Sequence, residues 1–188
     1  MKKILFIVVP NFRDGELFDT KAALGKDIHA QIASNTMSSI SGSEASEVVP
    51  NLFIENAIPS DFDGIILIGG SGMSDVLYND ATTTQQITAQ VKAFNSAGKL
   101  VAAICVSTVA LAKAGIISGK KVTGWNGQDN AQKTEIEASG ATFTNEPVTV
   151  DGNIITANGP ASAKAFGEAI KNFFSKEVAE DAKEKDNN

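Results

Sequence analysis

Residues 99–115, KLVAAICVSTVALAKAG, join an apolar run to a small-residue segment through the only cysteine of the chain. The apolar run 100–104 is too short for a helix and predicts a buried strand, and the residues after it predict a helix over 106–114. Cys105 therefore falls on the turn between strand and helix, the position of a nucleophile elbow. Free cysteine is also among the most often buried residue types. Position alone leaves a reactive role and a core role equally open.

The rest of the chain alternates short apolar runs with helical segments, a pattern typical of a parallel sheet covered on both faces. The predicted fold class is α/β: a single doubly wound, mostly parallel, flavodoxin-like sheet with helices on both faces. Predicted strands cover 2–9, 27–34, 62–70, 100–104, 120–125, 140–144 and 153–158, and predicted helices cover 14–26, 82–99, 106–114 and 160–175.

Two segments do not fit the alternation. Residues 36–56 lack a helical period and are interpreted as a β-hairpin-like excursion. Residues 176–188 are charged and have no apolar stripe, which indicates a frayed helix end or a disordered tail. The sequence therefore predicts one domain over 1–175, followed by that tail.

Charge and residue counts exclude several classes of function. The net charge of −6 argues against nucleic acid or an anionic membrane surface as a main partner. No apolar run approaches the roughly 18 residues of a membrane span. One cysteine and one histidine form neither an intramolecular disulfide nor a typical metal cage. We expect a cytoplasmic protein without a metal or another cofactor.

Chemically distinctive residues follow three of the predicted strands. The first strand leads to Glu16, the strand over 62–70 ends in Gly69 and Gly70, and a later strand leads to Cys105. Ligands of doubly wound sheets bind beyond the C-terminal ends of the strands, so these loops are expected to form one crevice. Glu16 is also explained by a simpler role, since acids are favoured in the first turn of a helix.

The predicted crevice offers groups for thiol chemistry. A helix N-terminus directly after Cys105 would favour the thiolate over the thiol. Backbone N–H groups of Gly69, Gly70 and Val106 would stabilise an oxyanion formed on a substrate.

Four segments carry a family resemblance: ILFIVVPNFRDGELFD (4–19), GIILIGGSG (64–72), KLVAAICVSTVALAKAGIISGKKVTGW (99–125) and IITANGPASAKAFGEAI (154–170). Together they resemble the ThiJ/PfpI superfamily, which includes the parkinsonism-associated protein deglycase and has a class I glutamine amidotransferase-like fold. The resemblance implies that Cys105 is the reactive residue and that Glu16 holds a carboxyl against its thiol. A carboxylate repels a thiolate, so one of the two must carry a proton. Our hypothesis is a Cys105 thiolate beside a protonated Glu16.

Two departures limit what the resemblance implies. Peptidase-like members have a histidine directly after the cysteine, where this chain has Val106. Deglycase-like members have one in the loop after the next strand, where this chain has Trp125. The only histidine, His29, is predicted to lie in a strand away from the crevice. A Cys-His-acid triad is not expected, and peptidase activity is the least favoured enzymatic interpretation.

Further residues are predicted to line the pocket. Trp125 either fills the core or narrows the pocket with its ring. Asn126 and Ser107 supply polar groups, although Ser107 also suits the start of a helix. Gly159 and Pro160 resemble the family segment that begins the last helix, and both are ordinary turn residues as well.

Two functions stay open at this point. The first is a cofactor-independent enzyme in which Cys105 adds to a small electrophile, with glyoxalase-like or deglycase-like chemistry, or a hydratase-like reaction on an isonitrile. The second is a redox-responsive stress protein whose Cys105 oxidises to sulfenic or sulfinic acid beside Glu16. The expected partner is thus a small-molecule electrophile or oxidant, and the resemblance also implies a homodimer.

Overall fold

The computed structural model describes the backbone of residues 1–186 and the side chains of residues 1–176. Its strands are β1 (Lys2–Ile7), β2 (Ile28–Ser34), β3 (Ile40–Ser41), β4 (Glu47–Val48), β5 (Leu52–Phe53), β6 (Gly64–Leu67), β7 (Leu100–Ile104), β8 (Lys121–Val122), β9 (Thr142–Phe143), β10 (Val148–Asp151) and β11 (Ile154–Ala157). Its α-helices are α1 (Asp14–Leu24), α2 (Ser71–Asn79), α3 (Ala81–Ser96), α4 (Thr108–Lys113), α5 (Ala131–Ala138) and α6 (Ala163–Asp186).

Seven strands form the central sheet in the order β10-β11-β7-β6-β1-β2-β5. Neighbouring strands pair in parallel from β11 to β5, and β10 joins the edge antiparallel to β11. The predicted mostly parallel α/β fold is confirmed. Because β7, β6 and β1 are parallel neighbours, the loops that carry Cys105, Gly69 and Glu16 meet beyond the C-terminal ends of these strands.

The central strands are apolar throughout because both faces of the sheet are covered. All residues of β6 and β7 are buried, so neither strand shows the alternation of a half-exposed strand. Helices α1 and α6 pack on one face, and α2, α3 and α4 pack on the other. Gly167 lets α6 approach α1 closely, since a Cβ there would lie 2.7 Å from the carbonyl oxygen of Thr20.

The segment predicted as a hairpin-like excursion is only partly a hairpin. Strands β3 and β4 pair antiparallel, as the prediction requires. Strand β5 instead pairs in parallel with β2 and extends the central sheet. The strands predicted over 120–125 and 140–144 shrink to β8 and β9, which form a separate two-stranded parallel sheet.

Two α-helices escaped prediction, because their apolar stripes are short. Helix α2 buries three side chains and contains Gly72, while α5 buries only Ile136. The last helix begins with a 3-10 turn at Pro160–Ser162 and continues as α6 to Asp186, beyond the predicted end at 175. Residues 187–188 of the predicted tail lie outside the described residues, as do the side chains of residues 177–186. None of the helices in the described range has the length and apolar character needed to cross a bilayer.

Candidate active site

Cys105 lies on a strained turn between β7 and α4. Its φ of 65° is in the left-handed region, which costs a residue other than glycine about 1–3 kcal/mol. The chain makes a 3-10 turn over Cys105–Ser107 before α4 begins at Thr108. This geometry agrees with the predicted nucleophile elbow, since a sharp turn at a strand end projects the side chain over the sheet edge.

Ser107 stabilises that turn through hydrogen bonds of its side chain and does not line the pocket. Its side chain is fully buried. The Ser107 hydroxyl accepts from the N–H of Ile104 at 3.0 Å and lies within donating distance of two carbonyl oxygens, Leu67 at 2.8 Å and Ile104 at 2.6 Å. The predicted pocket role is therefore wrong, because the hydroxyl is used in fixing the elbow.

Glu16 is fully buried in the first turn of α1. Its Oε2 accepts a hydrogen bond from the N–H of Gly69 at 2.9 Å. Its Oε1 has no hydrogen-bond partner among the described residues, and the carboxyl lies beside the thiol of Cys105. A buried carboxyl with one unsatisfied oxygen next to a thiol is unusual, because buried polar atoms are nearly always paired.

Gly69 brings the acid and the thiol together. A Cβ at Gly69 would lie 2.8 Å from both the Cys105 Cβ and the Glu16 Oε2, so a larger residue would push the two apart. The predicted use of the Gly69 N–H as an oxyanion donor is wrong, since that N–H is already bonded to Glu16. The N–H groups of Gly70 and Val106 instead act on the thiol of Cys105, whose pKa they lower.

Burial dominates the electrostatics of the pair. It raises the pKa of Glu16 to about 7, although the thiol of Cys105, the Gly69 N–H and the charge of Arg13 act in the opposite direction. Burial and then the adjacent charge of Glu16 raise the pKa of the Cys105 thiol well above its usual value. At neutral pH the pair therefore holds at least one proton.

The raised thiol pKa corrects the expectation that a helix N-terminus favours the thiolate. The α-helix starts three residues after Cys105 and is only six residues long. The N–H groups of Val106 and Gly70 lower the pKa of the thiol, but by less than burial raises it. A Cys105 thiolate consequently requires the shared proton to reside on Glu16.

A pocket of about 400 Å³ opens over the sulfur. Its lining residues are Arg13, Glu16, Gly70, Ser71, Ser74, Cys105, Val106, Trp125, Gln132 and Pro160. The structure thus brings six of the residues proposed from the sequence to one cavity. The volume is large enough for a small-molecule ligand.

Trp125 forms one wall of this pocket. The residue is 46% exposed, so it does not fill the core. Its backbone N–H donates to the carbonyl oxygen of Cys105 at 3.1 Å. Asn126 and Gly159 line a neighbouring pocket of about 210 Å³, which shares Trp125 and Pro160 with the first. The prediction that Asn126 and Gly159 line the thiol pocket is wrong, because both lie beyond the Trp125 wall.

His29 lies at the opposite end of the sheet from the pocket that contains Cys105. His29 is exposed, and it pairs in register with Lys3 near the N-terminal ends of β1 and β2, whereas the pocket lies at the C-terminal ends. Among the described residues no group of three or more metal-ligating side chains comes together.

Four lining residues were missed by the sequence reasoning. Arg13 lies in the same loop as Glu16, and Ser71 and Ser74 follow the Gly69–Gly70 turn, so adjacency to predicted site residues could have identified them. Gln132 comes from α5, a helix that was not predicted. Nothing in the sequence near Gln132 connects it with the thiol.

Comparisons with known proteins identify the family of this chain. The model of the DJ-1/PfpI family matches residues 2–172. The chain belongs to the DJ-1/PfpI family. A deglycase of Pyrococcus horikoshii is 30% identical over 87% of this chain and 94% of its own length. An uncharacterized protein of Methanocaldococcus jannaschii is 34% identical over 90% of this chain and 81% of its own length.

Solved structures show the same fold. A ThiJ/PfpI domain protein from Brachyspira murdochii superposes with a TM-score of 0.83 at 27% identity, covering 93% of this chain and 96% of that chain. The resemblance inferred from the four sequence segments is confirmed for nearly the whole chain of this DJ-1/PfpI protein.

Proposed function

We propose that this DJ-1/PfpI protein is a cysteine-dependent enzyme that converts small α-oxoaldehydes without a cofactor. The observation that carries the proposal is the pairing of the buried Glu16 with the partly exposed Cys105, both of which line a pocket of about 400 Å³. A nucleophile and a proton-transfer group with a pKa near the working pH are the two parts such a reaction needs.

The first step is addition of Cys105 to the aldehyde. A bond forms between the sulfur and the aldehyde carbon, and the π electrons of the carbonyl move to its oxygen. The N–H groups of Gly70 and Val106 stabilise the developing oxyanion. Glu16 takes the thiol proton and returns it to that oxygen, which gives a hemithioacetal. No histidine takes part in this step.

The second step moves a proton between neighbouring carbons. The Glu16 carboxylate removes the hydrogen from the thioacetal carbon and delivers it to the adjacent carbon. The hydroxyl proton of the thioacetal carbon passes to the neighbouring carbonyl oxygen, which leaves a thioester of a 2-hydroxy acid. Water then hydrolyses the thioester and restores the thiol. The sum is one α-oxoaldehyde plus one water to one 2-hydroxy acid, so no external oxidant or reductant is required.

The class of substrate is supported by named relatives. Two relatives carry the name deglycase, the protein from Pyrococcus horikoshii at 30% identity and another from Pyrococcus furiosus at 29% identity. The absence of a histidine at Val106 and Trp125 weakens a peptidase function more than an aldehyde function, because amide hydrolysis must also protonate a poor leaving group.

The test is conversion of methylglyoxal to lactate by the purified protein. We expect turnover by the wild type, none by Cys105→Ala, and a large loss in Glu16→Gln. His29→Ala serves as the control and should retain full turnover, since His29 lies at the other end of the sheet. Turnover that survives in Cys105→Ala would contradict the proposal.

A redox function is the second candidate, and the unsatisfied Oε1 of Glu16 favours it. Two successive reactions with peroxide would place two oxygens on the sulfur and release two waters, and a protonated Glu16 would donate to one of those oxygens. Intact-mass analysis after mild peroxide separates the candidates. A gain of two oxygens that stops at the sulfinic acid in the wild type, and continues to the sulfonic acid in Glu16→Gln, supports this function.

A further inference from the structure

We propose that Arg13 selects α-oxoaldehydes whose far end carries a carboxylate. The inference rests on the proposed function for its reaction, and it names the substrate class of the same pocket. Its grounds are the position of Arg13 in the cavity, the unpaired polar groups around it, and the carboxylate that the guanidinium already binds.

Arg13 is fixed at the pocket edge by its backbone. Its N–H donates to the carbonyl oxygen of Gly69 at 3.1 Å, and the N–H of the same glycine binds Glu16. Its side chain is exposed and lines the cavity. Among the described residues that line this pocket, Arg13 carries the only positive charge. Its charge reaches the reactive pair, since it lowers the pKa of Glu16.

Two serine hydroxyls of the lining are free to bind a ligand. Within the described part of the chain, the hydroxyls of Ser71 and Ser74 make no hydrogen bond. Methylglyoxal, whose only oxygens belong to the two reacting carbonyls, leaves these groups unused. A substrate with oxygen atoms beyond the reacting carbonyls would satisfy them, and specificity commonly arises from such convergent polar groups.

The guanidinium of Arg13 already binds a carboxylate in this structure. Arg13 pairs with Oε1 of Glu44 at 3.3 Å, and the two side chains are 44% and 57% exposed. An ion pair this exposed contributes little to stability, so a substrate carboxylate can replace Glu44 at small cost. One positive charge also matches one carboxylate better than a doubly charged phosphate. Without Arg13, the partial negative charge of Glu16 would repel an anionic substrate.

The test compares two alkylating agents of nearly equal size on Cys105. Iodoacetate carries a carboxylate and iodoacetamide is neutral, and both form a sulfur–carbon bond with loss of iodide. Because both react with the same thiol, the ratio of their rates cancels any change in the pKa of the thiol. We expect Arg13→Gln to lower the iodoacetate-to-iodoacetamide ratio about threefold, the size typical of one partly exposed charge.

Matched variants separate the local charge from the net charge. Arg13→Lys should keep the ratio near the wild-type value. Lys26→Gln removes the same charge at an exposed residue beyond the opposite end of α1, and it should leave the ratio unchanged. Glu44→Gln should raise the ratio, because it frees the guanidinium. About 1 M salt should abolish the difference between wild type and Arg13→Gln.

The outcomes distinguish this inference from the proposed function. Equal ratios in wild type and Arg13→Gln, or an equal fall in Lys26→Gln, overturn the inference even if methylglyoxal is turned over. Where turnover is present, kcat/KM for 4,5-dioxopentanoate relative to the neutral 2-oxopentanal should fall in Arg13→Gln, chiefly through KM. A protein that turns over neither aldehyde still reports on Arg13 through the alkylation ratio.

Discussion

Asp14 and Glu16 lie two residues apart in the first turn of α1, and their surroundings differ in the number of hydrogen bonds they receive. Asp14 anchors the loop over 42–46. It accepts from the N–H of Glu44 at 2.8 Å, the N–H of Ser46 at 3.1 Å and the hydroxyls of Ser43 and Ser46. Burial acts to raise the pKa of Asp14, but the hydroxyl of Ser46 and these N–H groups lower it overall.

Glu16 receives one backbone hydrogen bond and faces a thiol, so burial prevails and its pKa rises to about 7. The comparison shows how one helix turn builds an anchor and a proton-transfer group from the same functional group. A carboxylate with all its hydrogen bonds is stable as a charge, whereas one that lacks them exchanges its proton near neutral pH.

The largest expected effect is on turnover. Glu16→Gln should reduce methylglyoxal conversion about a thousandfold, because an amide fills the same space but transfers no proton. Asp14→Asn makes the same chemical change two residues away and should stay within about twofold of the wild type. Steady-state rates of both variants measure the contrast, and equal losses would show that the two acids do not differ in role.

The next effect is on the pH dependence of stability. Burial raises the pKa of Glu16 from 4.5 to about 7 in the folded protein. Its stabilising contribution is therefore complete below about pH 4.5 and is lost as the pH rises through about 7. The loss amounts to at most about 3 kcal/mol. Urea unfolding near pH 5 and pH 8 should show Glu16→Gln gaining stability relative to wild type at the higher pH, and a constant difference would contradict this reasoning.

The smallest expected effect is on the stability that Asp14 contributes by anchoring the loop over 42–46. Asp14→Asn should lower the free energy of unfolding by about 2 kcal/mol, because an amide cannot accept all the hydrogen bonds that the carboxylate accepts. Asp19→Asn is the matched control, since Asp19 is exposed on the same helix. Urea unfolding near pH 7 measures both variants. If both variants lose the same stability, the hydrogen bonds of the loop are not what makes Asp14 structural.

Much of the fold could be predicted from the sequence because its central strands are covered on both faces. Strands such as β6 and β7 then appear as continuous apolar runs bounded by glycine or polar residues. The short strands β8 and β9 and the helix α5 could not be predicted as they are, since they bury few side chains. Their positions depend on tertiary contacts that leave no periodicity in the sequence.

The candidate site was predictable in its reactive residues but not in its hydrogen bonding. Cys105 and Glu16 follow strands that are near neighbours in the sheet, so topology and resemblance place them together. The N–H of Gly69 binds Glu16, and this bond depends on the position of the Glu16 carboxyl to within about an ångström, which the sequence does not specify. The burial of Ser107 and the separation of Asn126 from the pocket depend on the direction of a turn, which residue types alone do not fix.

The most direct test of the central claim is the rate at which iodoacetamide alkylates Cys105 as a function of pH, in wild type and Glu16→Gln. If the two side chains share one proton, the wild-type rate rises through about pH 7, where the pair loses its first proton, and then levels off. Glu16→Gln should lack this step and react only as its own thiol ionises at higher pH. Superimposable profiles for the two proteins would show that Glu16 does not control the thiol and would contradict the account.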